Sequence, residues 1–340
     1  MTGLDDRLRA AAGSLAPGPD PIPPFKGLRQ RARRRRMMGA AGAVVVLAVV
    51  TFAGISLTRD RDRVLVANPH PTSTTIAPTT TTTTPRTPPI TERSEVTIYL
   101  IANEHVVAAG REVAGAATPE AAVQALLAGP TGATEADLGF SSAIPSGSDV
   151  HSVTVEGSVA TVDLTRQFEI GGGGLSMEAR VAQVVFTVTH FAGIDHVRFR
   201  IDGAQVTTIG STIAGEAVNV DNVDRAAFAN VTPLILVESP TPGQTVRAPL
   251  HVRGMSNTFE ATVNYTLTDS SGVVCSACAE RVIKEGYTTA TSGSGTWGTF
   301  EFDIPFNAER AGPMLLSVYE ISAEDGSRIH ETTVPLEVRP

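Results

Sequence analysis

The chain holds two cysteines, Cys275 and Cys278, in the run Cys-Ser-Ala-Cys. Thiols three positions apart support redox exchange, half of a zinc site, or a local disulfide. A zinc centre needs further ligands, and no second pair exists. A redox pair sits at a helix N-terminus, where the dipole lowers a thiol pKa; the flanks here read as a strand or hairpin. An oxidised bridge between Cys275 and Cys278 is the simplest expectation in an extracytoplasmic compartment. The histidines beyond the stalk, His105, His151, His190, His196, His251 and His330, are scattered, and no HExxH, GxSxG or P-loop pattern occurs. The glycine run 171–174 lacks the Lys-Ser/Thr end of a phosphate loop and reads as a mobile link. Glu178 and Asp163 could serve as acid and base, but single carboxylates at a helix start and a strand end are usually solvated. The expectation is therefore no catalytic residue, no cofactor and no metal site.

The strongest element elsewhere is residues 37–57, MMGAAGAVVVLAVVTFAGISL, which holds no charged residue. At ~1.5 Å per helical residue it covers about 30 Å, the hydrocarbon core of a bilayer. Six arginines between Arg29 and Arg36 precede it, which predicts a cytoplasmic N-terminus. A long segment upstream and the absence of a clean small-x-small site favour an uncleaved anchor over a signal peptide. The overall charge of −8 hides two halves: residues 1–57 carry nine Lys/Arg against three Asp/Glu, so the remainder is strongly acidic. That balance argues against nucleic acid as a partner.

Residues 1–36 read as a basic cytoplasmic tail, broken by APGPDPIPPF. Residues 58–93 form a stalk rich in Thr and Pro, too poor in apolar side chains to bury a core. In polyproline geometry it could span roughly 70 Å.

Residues 94–210 read as an α+β domain, a sheet with two helices on one face, in the order strand, helix, hairpin, helix, strand. VTIYLI is the first strand. Thr118 caps a helix that Gly129-Pro130 ends. Val153 and Val155, then Ala160, Val162 and Leu164, alternate through a hairpin turning at Glu156-Gly157. Ser176 can cap a second helix carrying Val181, Val184, Val185 and Val188, and Val197, Phe199 and Ile201 alternate in a closing strand. Residues 211–231 form a linker whose Ile213, Val218, Val220, Val223 and Phe228 predict packing onto a domain surface. Residues 232–340 read as about seven short strands with regular turns, an all-β immunoglobulin-like sandwich.

The fragments IYLI, LLAGPT, SAIPSGSDVHSVTVEGSVATVDLTRQF and VVFTVTHFAGIDHVRFRIDG, with Gly129-Pro130 and Ala143-Ile144-Pro145, resemble the GerMN domain of spore and germination proteins. VESPTPGQTVRAPLHVRGMSNTFEATVNYTLTDSSGVV and GTWGTFEFDIPF resemble the immunoglobulin-like domain of bacterial spore germination. The resemblance implies an envelope interaction protein, single-pass and of actinobacterial type, with no catalytic residues to carry over.

Together these features predict an extracytoplasmic binding or scaffold protein in the cell membrane. Its partners would be envelope proteins or cell-wall polymer, and it would touch the membrane only through its transmembrane helix. A wall-modifying enzyme and an envelope signal receptor are the alternatives; neither a catalytic pair nor an output domain in the tail supports them. The cysteines give a direct test. Mass spectrometry of protein taken from the envelope is expected to show a two-hydrogen deficit on the Cys275–Cys278 peptide. Because so short a loop stabilises little in the chain-entropy account, the double Ser variant should shift the melting midpoint only slightly.

Overall fold

The computed structural model describes residues 92–210, 217–270, 281–307 and 312–339. The tail, the apolar segment 37–57, the stalk up to residue 91, and Cys275 and Cys278 lie outside the described residues. Among the described residues no helix is long and apolar enough to cross a membrane. They are mostly β, with three α-helices.

The first domain opens with β1 (Arg93–Ala102) and β2 (His105–Ala114), paired in a sheet of their own. Asn103 and Glu104 both take positive φ, 49° and 68°, the two-residue turn that matches strand twist. Next come α1 (Pro119–Leu127) and the short α2 (Gly132–Asp137). Thr118 caps α1 by accepting from Ala121 N, as its sequence position predicts. Then β3 (Val150–Glu156), β4 (Val159–Leu164), α3 (Gly174–Val188), β5 (His196–Ile201) and β6 (Ala204–Val206) follow. The main sheet runs β3-β4-β5-β6, and α3 crosses between parallel β4 and β5. A small ladder pairs β7 (Thr208–Ile209) with β8 (Val218–Asn219), and a 3-10 turn spans Arg225–Val231.

Two expectations need correction here. The first strand does not join the main sheet; it pairs with β2, which the sequence reading omitted. β2 is rich in alanine and partly covered on both faces, so no apolar alternation marks it. The second helix starts at Gly174 with Gly173 at its cap position, and Ser176 lies inside its first turn. This helix shares one core with the buried face of the main sheet, through Val162, Leu164, Val197 and Phe199, and is itself covered on its other sides. From Ala179 to Val188 it is buried all round, against β1, α1 and the 3-10 turn.

The second domain contains β9 (Ile235–Ser239), β10 (Thr245–Val246), β11 (Leu250–Ser256), β12 (Thr262–Asp269), β13 (Arg281–Thr289), β14 (Gly298–Ile304), β15 (Gly312–Ile321) and β16 (Arg328–Val338). Two sheets, β14-β11-β9 and β10-β16-β15-β12-β13, contribute to one core: Val252 and Ile304 from the first meet Leu267, Leu316 and Leu336 from the second. β13 and the two-residue β10 are additional to the strands read from sequence. β12 and β13 are antiparallel neighbours, so the Cys275/Cys278 stretch connects the strands of a hairpin. β11 runs past Gly254, where the ladder to β9 shifts register. A Cβ at Gly254 would stand 2.2 Å from the Leu236 carbonyl oxygen, so only glycine lets β9 approach.

The two cores meet at β9. Alternation sends Ile235 and Val237 into the sandwich, while Leu236 belongs to the first core. The stretch before β9 also belongs to that first core, through Val220, Val223, Phe228 and Val231.

Candidate functional site

Four polar residues follow one another at helical spacing along α3 and just beyond it: Arg180, Gln183, Thr187 and His190. The first three are buried. They satisfy backbone groups that no neighbouring strand takes. Gln183 Nε2 donates to the Tyr99 carbonyl oxygen at 3.0 Å, and Tyr99 N donates to Thr187 Oγ1 at 3.1 Å. Arg180 donates to the carbonyls of Ala143, Phe168 and Gly171 at 3.0, 2.6 and 2.9 Å. The glycine run is thus no mobile link. Gly171 and Gly172 take φ of 68° and 94°, and the Gly171 carbonyl oxygen joins those of Phe168 and Ile170 around the Arg180 cation, the reverse of a phosphate-binding loop.

The fourth residue of the row, His190, enters a cluster that joins the domains. The Tyr99 hydroxyl donates to Glu238 Oε1. Arg225 Nη1 donates to the same oxygen at 2.6 Å, and its Nε and Nη2 donate to Thr189 Oγ1 at 2.8 Å and the Phe186 carbonyl at 3.1 Å. The guanidinium also stacks 4.8 Å from the Phe186 ring centroid. Arg253 Nη2 lies 2.9 Å from His190 Nε2. Arginine only donates, so Nε2 accepts and the imidazole proton is on Nδ1. That proton points to the Tyr99 hydroxyl oxygen, 3.0 Å away. The direction of every bond follows: Arg253 to His190, His190 to Tyr99, Tyr99 to Glu238. His190 Nδ1 is 3.8 Å from Glu238 Oε1, beyond hydrogen-bond reach, so the histidine acts on the carboxylate through Tyr99 and through space.

Burial raises the Glu238 pKa, but His190, the Arg225 charge and the Tyr99 hydroxyl outweigh it and hold the group at about 2. Burial, with the Glu238 charge beside it, pushes the Tyr99 phenol well above 10. Burial also works against the Arg225 charge, which Tyr99 and Glu238 more than restore. Neither the carboxylate nor the phenol is poised near neutrality for general acid–base work. The arrangement fastens β1, the end of α3 and the 225–231 turn to β9 and β11. A second fastening lies within the first domain, where Arg111 of β2 pairs with buried Glu135 of α2 at both carboxylate oxygens.

The residues singled out from sequence do not converge. Asp163 accepts from Gly203 N at 3.0 Å, and Glu178 from Asn230 Nδ2 at 3.2 Å. His151 faces Asp202, His251 faces Asp303 and Glu301, and His330 faces Glu320. Of these candidates only His190 joins the junction. Among the described residues no group of three or more His, Cys, Asp or Glu could hold a metal ion. Tyr99, Arg225, Glu238 and Arg253 were missed. The available signals were polar residues spaced three and four apart on an otherwise apolar helix, and a carboxylate following Ile-Leu-Val.

The fold is a pair of β-rich domains joined by a largely covered charge cluster, and among the described residues the candidates singled out from sequence do not assemble into a catalytic set. Residues 94–207 match the family described as sporulation and spore germination, and residues 234–327 match the immunoglobulin-like domain of bacterial spore germination. The chain carries a GerMN domain followed by that immunoglobulin-like domain. Among solved structures it is similar to the tandem GerMN domains of the sporulation protein GerM from Bacillus subtilis, at 18% identity over 64% of this chain, with a TM-score of 0.33. The match spans 62% of that protein's chain. It is also similar to the first GerMN domain of the same protein, at 22% identity, 39% of this chain, 98% of that one and a TM-score of 0.30. A lipoprotein from Clostridium perfringens matches at 14% identity, over 41% of this chain and 93% of that one, with a TM-score of 0.28. No curated protein matches the chain.

Glu238 sets a pH dependence. Its folded pKa is depressed, so its stabilisation is fully present above the ordinary 4.5 and is lost as pH falls toward about 2. The linked loss is about 3 kcal/mol. Glu238→Gln leaves Arg225 buried without its counter-charge and should cost about 3–5 kcal/mol at neutral pH. Denaturant midpoints of the intact protein are expected to fall with acid in the native chain. In the Gln variant they should be low at pH 7 and lack that acid-dependent step.

Proposed function

We propose that the protein is a membrane-anchored, extracytoplasmic binding or scaffold protein of a bacterial cell envelope. It would stand on a Thr/Pro stalk and present its two domains as one stiff unit. The observation that carries this reading is the junction: the fully buried Tyr99 and the largely covered Arg225 and Glu238 tie the two domains together through a shared set of hydrogen bonds. Both domains match families described by spore germination, and neither description names a reaction. The arginine run before residues 37–57 supports the topology. Acidic character beyond the anchor favours envelope proteins or wall polymer over nucleic acid as partners. The Cys275–Cys278 bridge belongs to the same picture, since such bridges persist in oxidising compartments.

Protease added to wall-stripped intact cells is expected to degrade residues beyond 58 while an epitope on residues 1–36 survives. The purified protein should release no fragments from isolated cell wall. Protection of the C-terminal portion would reverse the topology, and wall cleavage would replace the scaffold with an enzyme.

A further inference from the structure

A cleft of about 550 Å³ lies beside the junction, lined mainly by apolar side chains that include Val107, Leu138, Phe140 and Leu234. It is continuous with the junction through Leu236. Three strands border it: β2 and β9 each turn an unpaired edge towards it, and β16 does so only before Pro335, where β10 and the turn leading into it take over its outer side.

The direction of each edge follows from bonds on its other side. Tyr99 gives its N–H to Thr187 and its carbonyl to Gln183, so it is not bonded to Ala108, its register partner in β2. In an antiparallel ladder such a pair points its backbone groups away from each other. Ala108 N–H and C=O therefore face the free edge of β2. In β9, Asn257 N donates to the Leu234 carbonyl, which makes Ile235 and Ser256 a non-bonded pair. Ile235 and Val237 accordingly turn outward, and the Ile235 carbonyl accepts from Thr332 Oγ1 at 2.7 Å. In β16, the Pro335 carbonyl accepts from Gly243 N, so Pro335 and, two residues earlier, Thr333 face away from β15. Ala108, Val237 and Thr333 all line the cleft. Among the described residues their outward backbone groups make no hydrogen bond.

The geometry points to β-strand addition: the cleft accepts an extended segment of a partner polypeptide, paired through its backbone with β2 or β9. Apolar walls alone would suit any greasy ligand. Rows of unpaired N–H and C=O groups at strand spacing suit a peptide backbone, which alternates the same groups. Small apolar side chains at alternate positions would fill the space towards Val107 and Phe140. This inference rests on the reading of the tandem as a binding unit and names the chemistry of its partner.

The probe is an acetylated, amidated octapeptide of alternating Val and Thr, added to the intact protein. A matched peptide with alternate amides N-methylated keeps the side chains and loses the donors. Saturable binding is expected, with slowed amide exchange at Ala108 of β2 or Val237 of β9 and at least tenfold weaker binding of the methylated peptide. Ala108→Pro removes an outward donor that the hairpin does not use and should weaken binding similarly. If that variant fails to fold, the exchange data on the native chain still decide. No binding at millimolar peptide, or equal binding of the methylated form, would overturn strand addition while leaving the membrane topology and scaffold reading intact. Protection of the same amides by self-association would assign the cleft to a second copy and overturn the partner assignment.

Discussion

The Glu238 carboxylate is the constraint on which the tandem depends. A buried carboxylate costs several kcal/mol unless its partners meet it with good geometry. Its partners come from the other side of the domain boundary: Tyr99 from β1, Arg225 from the turn before β9, and His190 beyond α3. None of these contacts survives if the domains part, so separation exposes two charges and a phenol together with Leu236. The cost of an unpaired Glu238 or Arg225 is what makes the relative placement of the domains specific. Apolar contact at Leu236 and Met255 alone would tolerate sliding.

α3 supplies the second layer of that constraint. Gln183 and Thr187 take the Tyr99 backbone and fix where its ring points. Arg180 holds the 168–171 loop by its carbonyls. The same helix that fills the first core therefore aims the phenol at Glu238.

Much of the fold was legible because local chemistry decided it. Thr118, Glu156-Gly157 and the alternations of β4, β5 and β12 act within a few residues, and period or cap chemistry exposes them. β2 was not legible because Ala108, Ala109 and Gly110 lie in a strand that is partly covered on both faces. The junction was harder still. Tyr99 and Glu238 are 139 residues apart, and Arg225 falls in a stretch that reads as a linker. A lone carboxylate after Ile-Leu-Val reads as a solvent-facing strand end until the strand is seen to serve two cores. The glycine run misled for a related reason: its partner, Arg180, lies in the next helix, and only the folded chain shows that carbonyls face it.

Distances between spin labels in the two domains test the central claim most directly. With Cys275 and Cys278 replaced by Ser, labels at the exposed positions Arg198 and Glu301 report on the intact protein. The account predicts one narrow distance distribution for the otherwise native chain and a broad one after Glu238→Ala. A broad distribution without that change, or a narrow one that survives both Glu238→Ala and Arg225→Ala, would contradict it.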